Sequence, residues 1–326
     1  INNNAFENFT RLKSIKIPSG VTSIGDSAFR GCVALTSVEI PSSVTSIEGY
    51  AFHDCLSLES VVIPNGITSI KIRTFRGCSS LESIVIPSSV TSIEEAALKH
   101  CASLKSIEIP SGVTSIERDA FYGCTGLTNI NIPSSVTNIG ERAFYNCSGL
   151  TSIDIPSTVT AIESSAFYGC TSLKSIVIPS SVKAIGSFAF EGCTGLTSID
   201  IPSSVTSIGN KAFEGCTALK YNEYENGLYL GNKENPYLLL AGAKDICITS
   251  LQINAGAKII NNKTGFLYSE NTQLSLISKL SEVIAIKMWN DQKIQKMIRC
   301  AAKNVENEYN WKKIIKNKYL KVFKNF

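Results

Sequence analysis

The sequence predicts an α/β repeat solenoid: stacked coils with short parallel strands and short helical turns over residues 1–220, a β-hairpin insertion plus one degenerate coil over 221–260, and a helical tail over 261–326. Three observations predict it. Proline stands at 18, 41, 64, 87, 110, 133, 156, 179 and 202, stepping by 23 residues. Cysteine stands at 32, 55, 78, 101, 124, 147, 170, 193 and 216, with the same step. After Leu219 both ladders stop and the charge balance reverses: residues 1–260 hold 18 Lys and Arg against 22 Asp and Glu, and residues 261–326 hold 13 against 5.

Within one period, residues 35–40 read LTSVEI, the Leu-x-x-Leu-x-Leu form of a leucine-rich repeat. Alternation at Val38, Glu39 and Ile40 gives a short strand with two side chains inward and one outward. Pro41 lacks a backbone donor and ends the pairing, and Ser42-Ser43 makes the turn. Val44 to Ile47 reads as a second extended piece with its apolar residues inward. Ala51-Phe52, repeated at 28–29, 120–121, 143–144, 166–167, 189–190 and 212–213, is expected to form a short turn of helix, with Phe as the largest inward residue. One such coil cannot offset the entropy of ordering its own backbone, so stability has to come from stacking.

The cysteines call for packing. Equivalent positions on neighbouring coils lie at about the strand spacing of ~4.8 Å and run parallel, whereas a disulfide needs β-carbons about 3.8 Å apart and pointing together. No metal site is expected, because such parallel thiols do not converge. The residue before each cysteine is Gly, or Asp54, His100 or Asn146, which are the types enriched at positive φ, so a left-handed backbone is expected there. That accounts for His100. By the same alignment His53 reads as an exposed variable position. Glu39 and Glu108 stand three coils apart, too far for paired acid–base work. The sequence therefore offers no catalytic residue and no cofactor, and an enzyme is not expected.

The unit IPSSVTSIGxxAFxGCxxLTSI, nearly complete over residues 201–219, resembles the BspA-type leucine-rich repeat of bacterial and protozoan surface proteins. The resemblance covers about residues 5–260. It implies a cell-surface or secreted protein-interaction and adhesion module, with extracellular-matrix or cell-surface proteins, or glycans, as partners. A structural spacer or scaffold is the alternative reading. Residues 221–240, with Asn226-Gly227 and Asn235-Pro236, suggest the inserted hairpin. The segment at 250–260 mirrors residues 198–208 and reads as one further, degenerate coil.

Residues 262–267, NKTGFL, and 309–314, YNWKKI, resemble the C-terminal end of a family 4 type GT-B glycosyltransferase. The upstream sugar-nucleotide segment of that family is replaced here by repeats, which implies at most an inactive fragment, a possible chimera. The tail's basic residues are scattered over apolar helical faces, so nucleic acid is not an expected partner. No run of 18 apolar residues occurs, so no membrane span is expected. Ile1 begins partway through a repeat, with neither an initiating Met nor a signal peptide, as in a fragment of a longer chain.

The surface available for binding is the row of outward strand positions. One column reads Glu39, Val62, Val85, Glu108, Asn131, Asp154, Val177 and Asp200. Its neighbours are a serine column from Ser37 and a mixed column of Thr36, Glu59, Glu82 and Lys105. These columns carry no aromatic anchor, so weak contacts made useful by repetition are expected. Tyr224, Tyr229 and Tyr237 in the hairpin are the anchor-like candidates, because tyrosine offers a large contact at low entropic cost.

Overall fold

The computed structural model describes residues 1–202 and 204–219 in full, and six short strands between Asn222 and Gln252 by their backbone alone. The repeats form a parallel β-solenoid. One three-residue strand per coil, at Ser14–Lys16, Ser37–Glu39, Ser60–Val62, Ser83–Val85, Ser106–Glu108, Asn129–Asn131, Ser175–Val177 and Ser198–Asp200, builds the first side. These strands pair in parallel and in register, Ser14 on Ser37 and Ser60 on Ser83, one period apart. The coil at 152–154 contributes only an isolated bridge, Asp154 to Val177. A second side consists of two-residue strands such as Ser46–Ile47 and Ser69–Ile70, also parallel. Between the two, each proline opens a tight turn in which its carbonyl accepts the N–H three residues on, as in Val44 to Pro41 (3.0 Å).

The third side corrects the sequence reading. No helix occurs among the described residues, and Ala-Phe sits in a chain of hydrogen-bonded turns. The reason is how the N–H groups are divided. Ser27, Phe29 and Gly31 donate to Gly49, Ala51 and His53 of the next coil (3.0, 2.8 and 2.8 Å), while Ala28, Arg30 and Cys32 donate three residues back. A helix directs every donor along its own axis, so giving every second donor to a neighbouring coil excludes one. The alternation needs two left-handed residues per coil. One is the expected position before cysteine, with φ of 70° at Gly31, 59° at Asp54 and 63° at His100. The other lies four residues earlier, at Ser27, Tyr50, Arg73, Ala96, Asp119, Arg142, Ser165, Phe188 and Lys211, with φ between 53° and 60°. No residue type marks that second column.

In the column before cysteine, Asn8, Asp54, His100 and Asn146 alternate with Gly31, Gly77, Gly123 and Gly169. Each side chain covers the glycine of the following coil: a β-carbon on Gly31 would fall on Asn8 Oδ1, and one on Gly77 on Asp54 Oδ1. Gly192, which follows a glycine, has no atom nearer than 3.7 Å.

The core is one continuous column system. Phe29, Phe52 and Phe75 stack face to face at 5.3 and 5.5 Å, Leu98 interrupts, and Phe121, Phe144, Phe167, Phe190 and Phe213 resume at 5.3–5.5 Å. Ile, Val, Leu, Ala and Cys fill the other inward positions. Threonines tie the coils together: the hydroxyls of Thr36, Thr128, Thr151 and Thr197 each donate to a carbonyl one period earlier, at 3.0–3.2 Å. Gly140 shows how far coils are individually fitted. Glu117 and Glu163 hold the same position, yet a β-carbon on Gly140 would lie 2.6 Å from the Arg118 nitrogen. Gly140→Glu, a harmless change by the repeat pattern, is expected to cost about 2 kcal/mol through the backbone shift it forces, measurable by thermal unfolding.

Beyond Leu219, Asn222–Tyr224, Gly227–Leu230 and Tyr237–Leu238 form an antiparallel sheet. Leu251–Gln252 departs from expectation. It runs antiparallel to Ser207–Ile208 on the second side, not parallel to Ser198–Asp200 as a further coil would require. The edge of the last coil is thereby paired by a strand of opposite direction. Residues 261–326, expected to be helical, lie outside the described residues.

Candidate interaction surface

Every residue of the proposed outward row on the coils lies where the alternation puts it. The three-residue strands bury their middle residue and expose the outer two. Lys16 pairs with Glu39, Glu108 with Asn131, and Val177 with both Asp154 and Asp200. Val62 and Val85 are direct neighbours, in register, with 62% and 57% of their surface exposed. Val177 stands alone among acidic residues at 68%. The scaffold does not require valine here, since Glu39, Glu108 and Asn131 make the same strand. In the adjoining column Thr36 and Thr128 are tied down by hydrogen bonds, whereas Glu59, Glu82 and Lys105 are exposed, the last two meeting at 3.2 Å. Two apolar side chains therefore sit beside four carboxylates, Glu39, Glu59, Glu82 and Glu108. Tyr224, Tyr229 and Tyr237 belong to the antiparallel sheet after Leu219, where Tyr229 pairs with Asn222 and Leu238, and Tyr237 with Leu230.

The thiols are fully buried and none is in a disulfide among the described residues. Each donates to the carbonyl of the phenylalanine-position residue one coil back, as in Cys124 to Leu98 and Cys170 to Phe144, both 3.2 Å. Burial pushes Cys124 and Cys170 up to about 12, against a backbone hydrogen bond from Cys101 and Cys147 respectively, and raises Cys101 and Cys147 as well. A thiol held protonated is a poor nucleophile. The nine repeat cysteines are expected to resist alkylation at pH 8 until the chain unfolds, which mass spectrometry of pulse-labelled protein would show. Among the described residues no group of His, Cys, Asp or Glu is arranged to hold a metal ion.

The turn side holds what the sequence reading missed. His53, expected to be exposed, is 6% exposed, its ring edge-on to Tyr50 at 5.7 Å and both nitrogens without a hydrogen-bond partner. Its column runs Arg30, His53, Arg76, Lys99, then Tyr122, Tyr145, Tyr168, then Glu191, Glu214, so charge type changes along the rod. Burial first, then Arg76, Arg30 and Arg73, lower the His53 pKa, against the opposing charge of Asp54. A depressed folded pKa means that the unfolded chain takes up the proton first. Stability is therefore lost as pH falls below the unfolded value of about 6.5. His53→Tyr, the residue three later coils carry, is expected to raise the melting temperature more at pH 5 than at pH 8.

Tyr122, Tyr145 and Tyr168 are half-buried and stack at 4.5 and 4.4 Å with rings nearly parallel. Lys99 lies over the free face of Tyr122, its nitrogen 4.0 Å from the ring centre and 2.8 Å from Asp119 Oδ2. The signal was present in the sequence as three tyrosines one period apart, directly after the buried phenylalanines.

The family model of the BspA type leucine rich repeat region matches in six copies over residues 1–128 and 91–220. A leucine-rich cell surface protein from Faecalibacterium prausnitzii is 35% identical, over 72% of this chain and 77% of that one, with a TM-score of 0.42. A leucine-rich repeat protein from Bacteroides ovatus is 29% identical over 68% and 75%, at 0.43, and one from T. pallidum 27% identical over 56% and 78%, at 0.46. No curated protein matches. Nothing in these matches supports the glycosyltransferase resemblance of the tail. With six copies of the repeat model spanning residues 1–220, the chain belongs to the BspA-type leucine-rich repeat family.

Proposed function

We propose that the chain is a non-enzymatic protein-interaction module that works at a cell surface, binding extracellular-matrix or cell-surface proteins through the outward row of its first side. The observation that carries this reading is the Val62–Val85 pair, exposed in register at a position that five other coils fill with acid or amide. Two apolar side chains exposed in register, where the scaffold does not need them, offer a contact point to a partner. Glu39, Glu59, Glu82 and Glu108 around it select a partner segment that carries an aliphatic or aromatic side chain flanked by Lys or Arg. The hairpin tyrosines are assigned a supporting role. Repetition compensates for the small size of each contact when many copies are displayed.

The test is a multivalent display of the chain on beads against immobilised matrix proteins and whole cells. Val62→Glu with Val85→Glu is expected to reduce capture at least tenfold, a loss of about 1.4 kcal/mol or more, while Val177→Glu leaves it nearly unchanged. Equal capture by all three proteins would remove the row from consideration. The threonine hydroxyl ladders that join successive coils favour a second reading, a stiff spacer. It predicts that these substitutions change nothing while shortening the rod does.

A further inference from the structure

The outward row of the first side and the last residues of the chain are complementary in charge and in apolar content. Val62 and Val85 stand exposed in register, and Glu39, Glu59, Glu82 and Glu108 surround them, all four exposed. Among the described residues Glu39, Glu59 and Glu108 make no ion pair. Lys105, the one cation on the outward positions of those four coils, is engaged with Glu82 at 3.2 Å. The row thus presents two apolar side chains and three unanswered carboxylates.

A segment that answers them is in the same chain. Residues 309–326 read YNWKKIIKNKYLKVFKNF, with six Lys, no Asp or Glu, and Trp311, Ile314, Ile315, Leu320 and Phe323 set between the lysines. No other window of 18 residues in the chain holds six cations without an acid. We infer that this segment occupies the Val62–Val85 row in the free protein, so that the chain covers its own binding surface until a partner displaces it. The inference rests on the reading of that row as a contact surface.

Reach does not forbid the contact. Gln252 pairs with Ser207 on the ninth coil, and Val85 lies five coil steps back from Asp200 on that coil, about 24 Å along the rod. From Gln252 to Tyr309 there are about 57 residues, and even a random chain of that length spans about 40 Å root-mean-square. A tethered segment acts at an effective concentration on the order of millimolar. Contacts too small to hold a free peptide therefore suffice for one carried on the chain. An aliphatic or aromatic side chain flanked by lysines is also what the row selects in a partner, so segment and partner compete for one place. The lysines answer the unpaired carboxylates, and an acidic segment would be repelled.

Zero-length carbodiimide cross-linking of the full chain at about 1 μM and low salt, where surface charges are least screened, tests the contact. Mass spectrometry of the monomer is expected to join lysines of residues 312–324 to Glu59, Glu82 or Glu108 at least about fivefold more often than to Glu163, an exposed carboxylate away from the row. Lys312→Glu with Lys313→Glu and Lys316→Glu is expected to remove those links and to raise capture in the bead assay at least about threefold. Adding Glu59→Lys and Glu82→Lys to that variant is expected to restore linking with the sense reversed, from the lysines introduced on the row to the carboxylates introduced in the segment. A folding defect cannot produce that recovery. Links spread evenly over the row and Glu163, or a five-site variant that stays unlinked, overturn the inference. So does a full chain that carries no row links and floats with vesicles of about 30% phosphatidylserine, which would make the segment a membrane contact. Strong capture that is the same with and without the three lysines also overturns it while leaving the binding row standing. Row links that form as described in a chain that captures nothing leave the inference standing and remove the matrix-binding reading instead.

Discussion

Phe144→Ala is expected to lower stability by about 3–5 kcal/mol and to divide the unfolding of the solenoid into two steps. The ring is fully buried and stacked between Phe121 at 5.4 Å and Phe167 at 5.5 Å, so truncation removes two ring contacts and leaves a cavity bounded by neighbours that the coil hydrogen bonds hold in place. In a linear array each coil is stabilised by its two neighbours alone, so a central fault also uncouples the two halves. Urea titration followed by circular dichroism is expected to show two transitions for Phe144→Ala. Phe29→Ala, near one end, is expected to give one. A single cooperative transition for the central variant would mean that coupling extends beyond nearest neighbours.

Asp119→Ala is expected to cost about 2–3 kcal/mol, and most of that loss to disappear when Lys99→Met is added. Asp119 Oδ2 meets the Lys99 nitrogen at 2.8 Å, with the side chains 13% and 19% exposed, and the same ammonium lies on the Tyr122 ring. Removing the carboxylate strands a largely desolvated cation, whereas removing both charges leaves an apolar side chain on an aromatic ring. A double-mutant cycle by chemical denaturation measures the coupling. If the two losses simply add, the pair is not acting as a unit.

The parts of this molecule that could be read from its residues are those where one residue type does one job. Proline ends a strand, cysteine fills a small inward space, and glycine alternating with Asp, His or Asn marks a left-handed backbone, so those columns were visible in the spelling. The second left-handed column was not, because Tyr50, Arg73, Ala96 and Phe188 share no property except their place in the turn. They are held at positive φ by hydrogen bonds to the adjacent coil, a tertiary cause with no local signature. The helical turn failed for the same reason: Ala-Phe-x-x-Cys has helical spacing, and only the neighbouring coil's carbonyls redirect its donors. His53 was misplaced because its column mixes Arg, Lys, Tyr and Glu, and its burial comes from Tyr50 and the surrounding turn. The exposed row was legible by alternation, and what it binds is a matter of side chains that alternation does not constrain.

The covering of each glycine by the side chain one coil before it bears on how such an array can change length. Between Asn8 and Gly169 the repeating unit is two coils, twice the sequence period, even though every coil looks alike in outline. Recombination that removes one coil there, such as the one holding Gly77, would seat His100 directly after Asp54 and drive its β-carbon into the carboxylate. Removing two coils restores the alternation. From Gly169 to Gly215 glycine follows glycine, and single coils can be gained or lost without that conflict. The gene is thus free to vary by single repeats near the C-terminal end of the array, and elsewhere by pairs or by loss of a coil that carries a covering side chain, so single-coil deletions that remove Gly77 and that remove Asp54 are expected to differ in melting temperature.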